Sequence, residues 1–193
     1  MERQERQMRC KTAEFTTRED GEALNIEGYF AVFNSDYEIA PGMSESIAPG
    51  AFANSITGDV RALINHDTTL VLGRAKAGTL ELREDAHGLW GRIAINPNDG
   101  DAMNLYERVK RGDVDQCSIG FEIRSEDTEI HEDGSVHWTI KEVDPLYEVS
   151  CCTFPAYEET NIAARAAQRD DSQKRERQAW QEKMKERLLH HGA

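Results

Sequence analysis

The sequence predicts an α+β domain: a mixed, mostly antiparallel β-barrel of seven or eight strands flanked by helices, with a C-terminal helical tail. Three observations lead there. Short segments with period-two alternation recur between Lys11 and Ser150, divided by clusters of Gly, Asn, Asp and Pro. Only two stretches in that region carry helical spacing, too few to place a helix between successive strands of a parallel doubly wound sheet. After Ala163 the pattern turns to alanine and mixed charge, with Trp180, Met184 and Leu188 as large apolar residues. The expected organisation is a frayed N-terminus over 1–9, a main domain over 10–162, and a linker and charged helical tail over 163–193.

The elements follow in order. Lys11 to Thr17 reads as a first strand. Leu24, Ile26, Gly28, Phe30 and Val32 alternate through a second. Asn34 to Met43 is rich in turn residues and reads as a loop, and Glu45 to Ala48 as a short strand. Pro49 suits the first turn of a helix that puts Phe52 and Ile56 on one face, ended by Gly58-Asp59. Val60 to Ile64 is a short apolar strand leading into His66. Val71 to Ala77, Thr79 to Arg83 and Gly88 to Ile95 make an antiparallel meander. Asp99 is an N-cap for a helix with Ala102, Leu105, Tyr106 and Val109 at i, i+3, i+4, i+7, closed by Gly112. Gln116 to Arg124 is a strand, Ser125 to Ser135 an acidic connection, and Val136 to Val143 and Leu146 to Ser150 two further strands.

Bulk properties exclude several classes. The 193 residues carry a formal net charge of −13, unevenly spread. Residues 165–193 hold eight Lys+Arg and five Asp+Glu, net +3, so the other 164 residues carry −16. An acidic body argues against nucleic acid as the main ligand, because phosphate binding needs concentrated positive charge. No apolar run approaches the ~20 residues of a membrane span, and the charged N-terminus lacks a signal-peptide core. Cys10, Cys117 and the adjacent Cys151 and Cys152 form no C-x-x-C pair, which points to reduced thiols, a cytosolic home and no metal site. No cofactor motif is present.

The chemistry on offer centres on Asp115-Gln116-Cys117-Ser118-Ile119-Gly120-Phe121. Cys117, Ile119 and Phe121 share one strand face; Ser118 and Gly120 share the other, and Gly120 leaves room for another chain to approach. His66, in Asn65-His66-Asp67, supplies a base for such a serine, and Glu148, in Leu146-Tyr147-Glu148-Val149-Ser150, a group to orient the base. The parity of Glu148 against Tyr147, Val149 and Cys151 matches that of Ser118, so both can project into one cleft. Each also has an ordinary reading, as a solvated or capping side chain or an edge-strand glutamate facing water. Asp67 is a weaker third member because strand neighbours point to opposite faces. Arg74 is a candidate to hold substrate or an oxyanion, or a plain surface arginine. His87, His131 and His137 read as structural or exposed, and His190 and His191 lie in the tail.

In order and spacing these segments resemble the prohead (procapsid maturation) proteases of tailed bacteriophages. The resemblance rests on Gly28-Tyr29-Phe30-Ala31-Val32-Phe33, Ala48-Pro49-Gly50-Ala51-Phe52, Asn65-His66-Asp67 with Leu72-Gly73-Arg74, Cys117-Ser118-Ile119-Gly120-Phe121, and Leu146-Tyr147-Glu148-Val149-Ser150 followed by Pro155-Ala156. It spans roughly residues 10–165. It implies a fold similar to herpesvirus assembly proteases and a serine endopeptidase with Ser118 as nucleophile, His66 as general base and Glu148 as third member. It further implies action inside the immature capsid in the host cytoplasm, cleavage of the scaffolding portion of the major capsid protein and of the enzyme itself, and self-association. Ala163 to Gln168 is the expected self-cleavage region. Two other readings stand beside it. One is a non-enzymatic assembly factor with the same fold. The other is a small-ester hydrolase, disfavoured because no Gly-x-Ser-x-Gly elbow is present.

Overall fold

Alternating burial sorts the chain into strands that close two sheets over one apolar core. The computed structural model describes residues 7–12, 15–20 and 23–154. In chain order the elements are β1 (Gln7–Thr12), β2 (Thr16–Asp20), β3 (Ala23–Val32), β4 (Tyr37–Ala40), β5 (Met43–Ile47), β6 (Arg61–Ile64), β7 (Asp67–Arg74), a 3-10 turn (Ala75–Ala77), β8 (Leu80–Glu84), β9 (Gly88–Ile95), α1 (Gly100–Arg111), β10 (Gln116–Ile130) and β11 (Val136–Cys152). The fold is mostly β with a single α-helix among the described residues. None of the described helices is long and apolar enough to cross a membrane.

The larger sheet has seven strands, ordered β1-β10-β11-β5-β4, with β6 on β11 and β7 on β6. The smaller has four, ordered β2-β3-β9-β8. Between them Ile26, Phe30, Leu89 and Ile93 meet Cys117, Ile119, Phe121, Val149 and Cys151 in one buried cluster. β11 is the spine. It lies antiparallel to β10 along its length, while its other edge holds two short parallel strands in tandem, β5 against Val136–Ile140 and β6 against Glu148–Cys151. The close approach of β9 to β3 depends on Gly88, where a Cβ would fall 2.0 Å from the Ala31 carbonyl oxygen.

The helix expected after Asn96 forms as read. Asp99 Oδ1 accepts the amides of Asp101 and Ala102, the four apolar positions are buried, and Gly112 closes the helix at φ 85°. Other expectations need correction. Among the described residues eleven strands form two sheets, one of seven and one of four, rather than one closed barrel of seven or eight. The first expected strand is divided between β1 and β2, and β1 opens at Gln7, inside the stretch expected to fray. The expected loop before Met43 contains β4. The second expected helix, from Pro49, is a run of turns: Gly50 sits at φ 89°, outside helical geometry, and the bonds that follow are mostly of the i to i−3 type. The acidic connection is mostly strand, since β10 continues to Ile130. The two last expected strands are one, because register shifts opposite Phe121–Ser125 absorb Asp144-Pro145 without ending the ladder. The expected tail over 163–193 and its cleavage region lie outside the described residues.

Candidate functional site

Three cross-strand pairs define one face of β10 and β11: Gln116 opposite Cys152, Ser118 opposite Ser150, and Gly120 opposite Glu148. The alternate residues, Cys117, Ile119, Val149 and Cys151, face the core. This is the period-two parity of a strand, and it puts Ser118 and Glu148 on the same side of the sheet. Gly120 contributes space. A directly opposed side chain would stand about 5 Å from Cβ of Glu148.

His66 reaches this face from a turn, not from a strand. β6 and β7 form a hairpin in which Ile64 faces Asp67 across a two-residue loop. Asn65 has φ 49° and His66 φ 62°. Positive φ at both central residues is the requirement of a type I′ turn, whose second place glycine usually fills. A histidine there is held against its backbone preference, a state that persists only when the surroundings over-determine it. They do. The Asn65 amide donates to the Cys151 carbonyl at 3.0 Å, and Asn65 Oδ1 accepts the Thr153 amide at 2.9 Å. The His66 amide donates to Ser150 Oγ at 3.3 Å. β6, parallel to β11 with Ile64 opposite Cys151, brings the turn to the end of the spine.

The imidazole then meets the carboxylate. His66 Nδ1 lies 2.7 Å from Glu148 Oε1, and Ser150 Oγ donates to Glu148 Oε2 at 2.6 Å. A carboxylate accepts only, so Nδ1 carries the proton and Nε2 is left with the lone pair in the neutral ring. Nε2 lies 3.9 Å from Cys152 Sγ, on the same face as Ser118. Ser118 is fully buried, and its hydroxyl has no hydrogen-bond partner among the described residues. An unmade buried hydrogen bond costs about 1–3 kcal/mol. Such orphans in a native fold ask for a chemical explanation. A hydroxyl without a partner, a histidine with Nε2 as its lone pair and a carboxylate holding the other nitrogen are the parts of nucleophilic acyl transfer.

The remaining candidates are placed elsewhere. Arg74, at the far end of β7 from His66, clasps the Asp59 carboxylate through Nε and Nη2. That bond, with Arg61 nearby, lowers the Asp59 carboxyl to about 2. Asp67 Oδ1 accepts from the Thr69 amide and hydroxyl at 2.8 and 2.6 Å, which braces the start of β7. His87 packs edge-on against Tyr29, and His137 bonds Ser44 and Ser46. Cys117, Cys151 and Cys152 are buried, and burial pushes the Cys151 thiol up. No group of three or more His, Cys, Asp or Glu suited to a metal ion occurs among the described residues. Sequence reasoning missed Ser150 and the hairpin. The Asn65-His66 pair between two apolar runs is a weakened Asn-Gly signal for the hairpin. Nothing in the sequence marks Ser150.

The family model of the caudovirus prohead serine proteases matches residues 11–175, and the chain belongs to that family. The prohead protease of Enterobacteria phage HK97 is 34% identical over 149 residues, which is 75% of this chain and 61% of that protein. The chain thus spans about three fifths of the length of that relative. The structure of the bacteriophage T4 capsid assembly protease aligns with 78% of this chain and 99% of its own at a TM-score of 0.49 and 13% identity.

Proposed function

We propose that the chain is a serine endopeptidase that cleaves the scaffolding portion of the major capsid protein, and itself, during prohead maturation. It acts inside the immature capsid in the host cytoplasm. Ser118 is the nucleophile, His66 the general base and Glu148 the group that fixes the imidazole. Ser118 Oγ attacks the scissile carbonyl while its proton passes to His66 Nε2, and Glu148 stabilises the imidazolium. The proton then goes to the leaving amine as the C–N bond breaks, and water, activated by the same nitrogen, hydrolyses the acyl-enzyme. Gly120 provides room for substrate beside the carboxylate. Arg74, held by Asp59, is assigned to substrate contact at the surface. The observation that carries the reading is the buried, unpartnered Ser118 hydroxyl on the face shared with the His66–Glu148 pair. Membership of the family supports the choice of capsid protein as substrate.

Co-expression with the capsid protein encoded beside this chain, read by intact mass, tests it. Wild type trims the capsid protein and loses its own C-terminal segment near 163–168; Ser118→Ala does neither. Removing the nucleophile costs about six orders of magnitude in comparable systems, so the contrast is all or none. Normal shells with uncut capsid protein in both would instead favour a non-enzymatic assembly factor.

A further inference from the structure

Glu148 is nearly inaccessible to solvent, so each of its carboxylate oxygens needs a donor. One oxygen takes the His66 ring at 2.7 Å; the other takes the Ser150 hydroxyl at 2.6 Å. That same hydroxyl oxygen accepts the His66 backbone amide at 3.3 Å. The result is a closed circuit: imidazole to carboxylate, carboxylate to hydroxyl, hydroxyl back to the backbone of the residue that bears the imidazole. Ser150 is fully buried and directly opposite Ser118 in the ladder. We infer that Ser150 is a positioning residue, fixing the plane of the Glu148 carboxylate and the strained His66 turn with a single hydroxyl.

Two consequences set it apart from a serine that merely fills space. A carboxylate held at both oxygens cannot rotate away from Nδ1, so the ring keeps one orientation. A donor on Oε2 also draws charge from the carboxylate and so moderates its pull on the imidazolium. Without the hydroxyl the carboxylate favours the protonated ring more strongly. Ser150→Ala therefore moves the His66 titration to higher pH, and with it the acid limb of kcat/KM. The fall is in kcat more than in KM, because substrate contacts are untouched.

The inference rests on the proposed protease reading for its role in cleavage, so the test includes a readout independent of cleavage. The His66 ring is followed by NMR against pH in full-length Ser118→Ala protein, alone and combined with Ser150→Ala, Ser150→Thr or Ser150→Cys. Ser150→Ala is expected to raise the midpoint by about half a unit or more. Ser150→Thr keeps the hydroxyl and leaves the midpoint in place. Ser150→Cys, a weaker donor of similar shape, gives a smaller shift in the same direction and serves if the alanine variant does not fold. Unmoved midpoints in folded Ala and Cys variants overturn the inference, even if wild type cleaves capsid protein. A shifted midpoint, where the wild type cleaves nothing, leaves the positioning role standing and removes the protease reading.

Discussion

β11 carries one histidine near its start and holds another against its end, and both sit among serines. His137, near its start, is bonded through Nδ1 to Ser44 and through Nε2 to Ser46, each at 2.8 Å. His66, near its end, is bonded through Nδ1 to Glu148, and its backbone to Ser150. The first lies in a regular parallel ladder with both ring nitrogens satisfied by hydroxyls. The second is held in a left-handed turn by a carboxylate, beside a serine whose hydroxyl lacks a partner. Proximity of serine to histidine is thus common to both. What distinguishes the His66 arrangement is the carboxylate on Nδ1 and the unsatisfied Ser118 hydroxyl on the same sheet face.

The sharpest way to break this contrast is to remove each ring in turn. His66→Ala should lower cleavage of capsid protein by about four to six orders of magnitude. His137→Ala should leave it within about twofold and cost about 1–2 kcal/mol of stability, from the two hydroxyls left without a partner. Substantial loss of cleavage in a folded His137 variant would erase the distinction. A second comparison sets buried carboxylates against each other. Glu148→Gln should reduce kcat by about 10⁴, as an amide favours the wrong tautomer of a catalytic histidine. Glu45, which clasps Arg9 beneath the sheet, should behave oppositely: Glu45→Ala costs about 3–5 kcal/mol in denaturant titrations, with kcat of the folded fraction retained.

Smaller effects are expected around the turn. Asn65→Ala forces a Cβ-bearing residue without a compensating side chain into positive φ and should cost about 1–2 kcal/mol, with a lower kcat. Asn65→Gly keeps the turn and loses only the bonds to Thr153, so its activity should stay closer to wild type. The smallest effect is that of Asp59. Its bond to Arg74 depresses its carboxyl to about 2, below the ordinary 3.8. The stabilisation is therefore complete above about pH 4 and disappears as pH falls toward 2. Thermal melts of wild type should lose slightly more than those of Asp59→Asn across that window, with no difference between the two in the pH dependence of cleavage near neutrality.

Much of this was legible in residues alone where one rule governs. The helix announced itself through its cap, its apolar stripe and its closing glycine, all local signals. Strand parity put Ser118 and Glu148 on one face because alternation survives whatever the partner strand. Legibility failed where tertiary pairing decides. Pro49 and Phe52 imitate a helix start, but Gly50 takes a left-handed conformation. Two strands were expected on either side of Asp144-Pro145, yet the ladder with β10 bulges around them. The His66 turn was hidden because histidine replaces the glycine that normally advertises such a loop. Ser150 was invisible because its importance lies in joining Glu148 on its own strand to the His66 backbone 84 residues away, and a serine in a strand gives no local sign of that.

The two residues that hold each other at the centre of the site are 82 positions apart in the chain. A polypeptide emerging from the ribosome therefore carries His66 and then Ser118 long before the last strand exists to set them. Until residues through Cys152 have been synthesised and threaded beside β6 and β10, the turn has no clamp and the imidazole no carboxylate. Translation itself thus delays assembly of the His66–Glu148 pair until β11 has been made, so an unfinished chain lacks it.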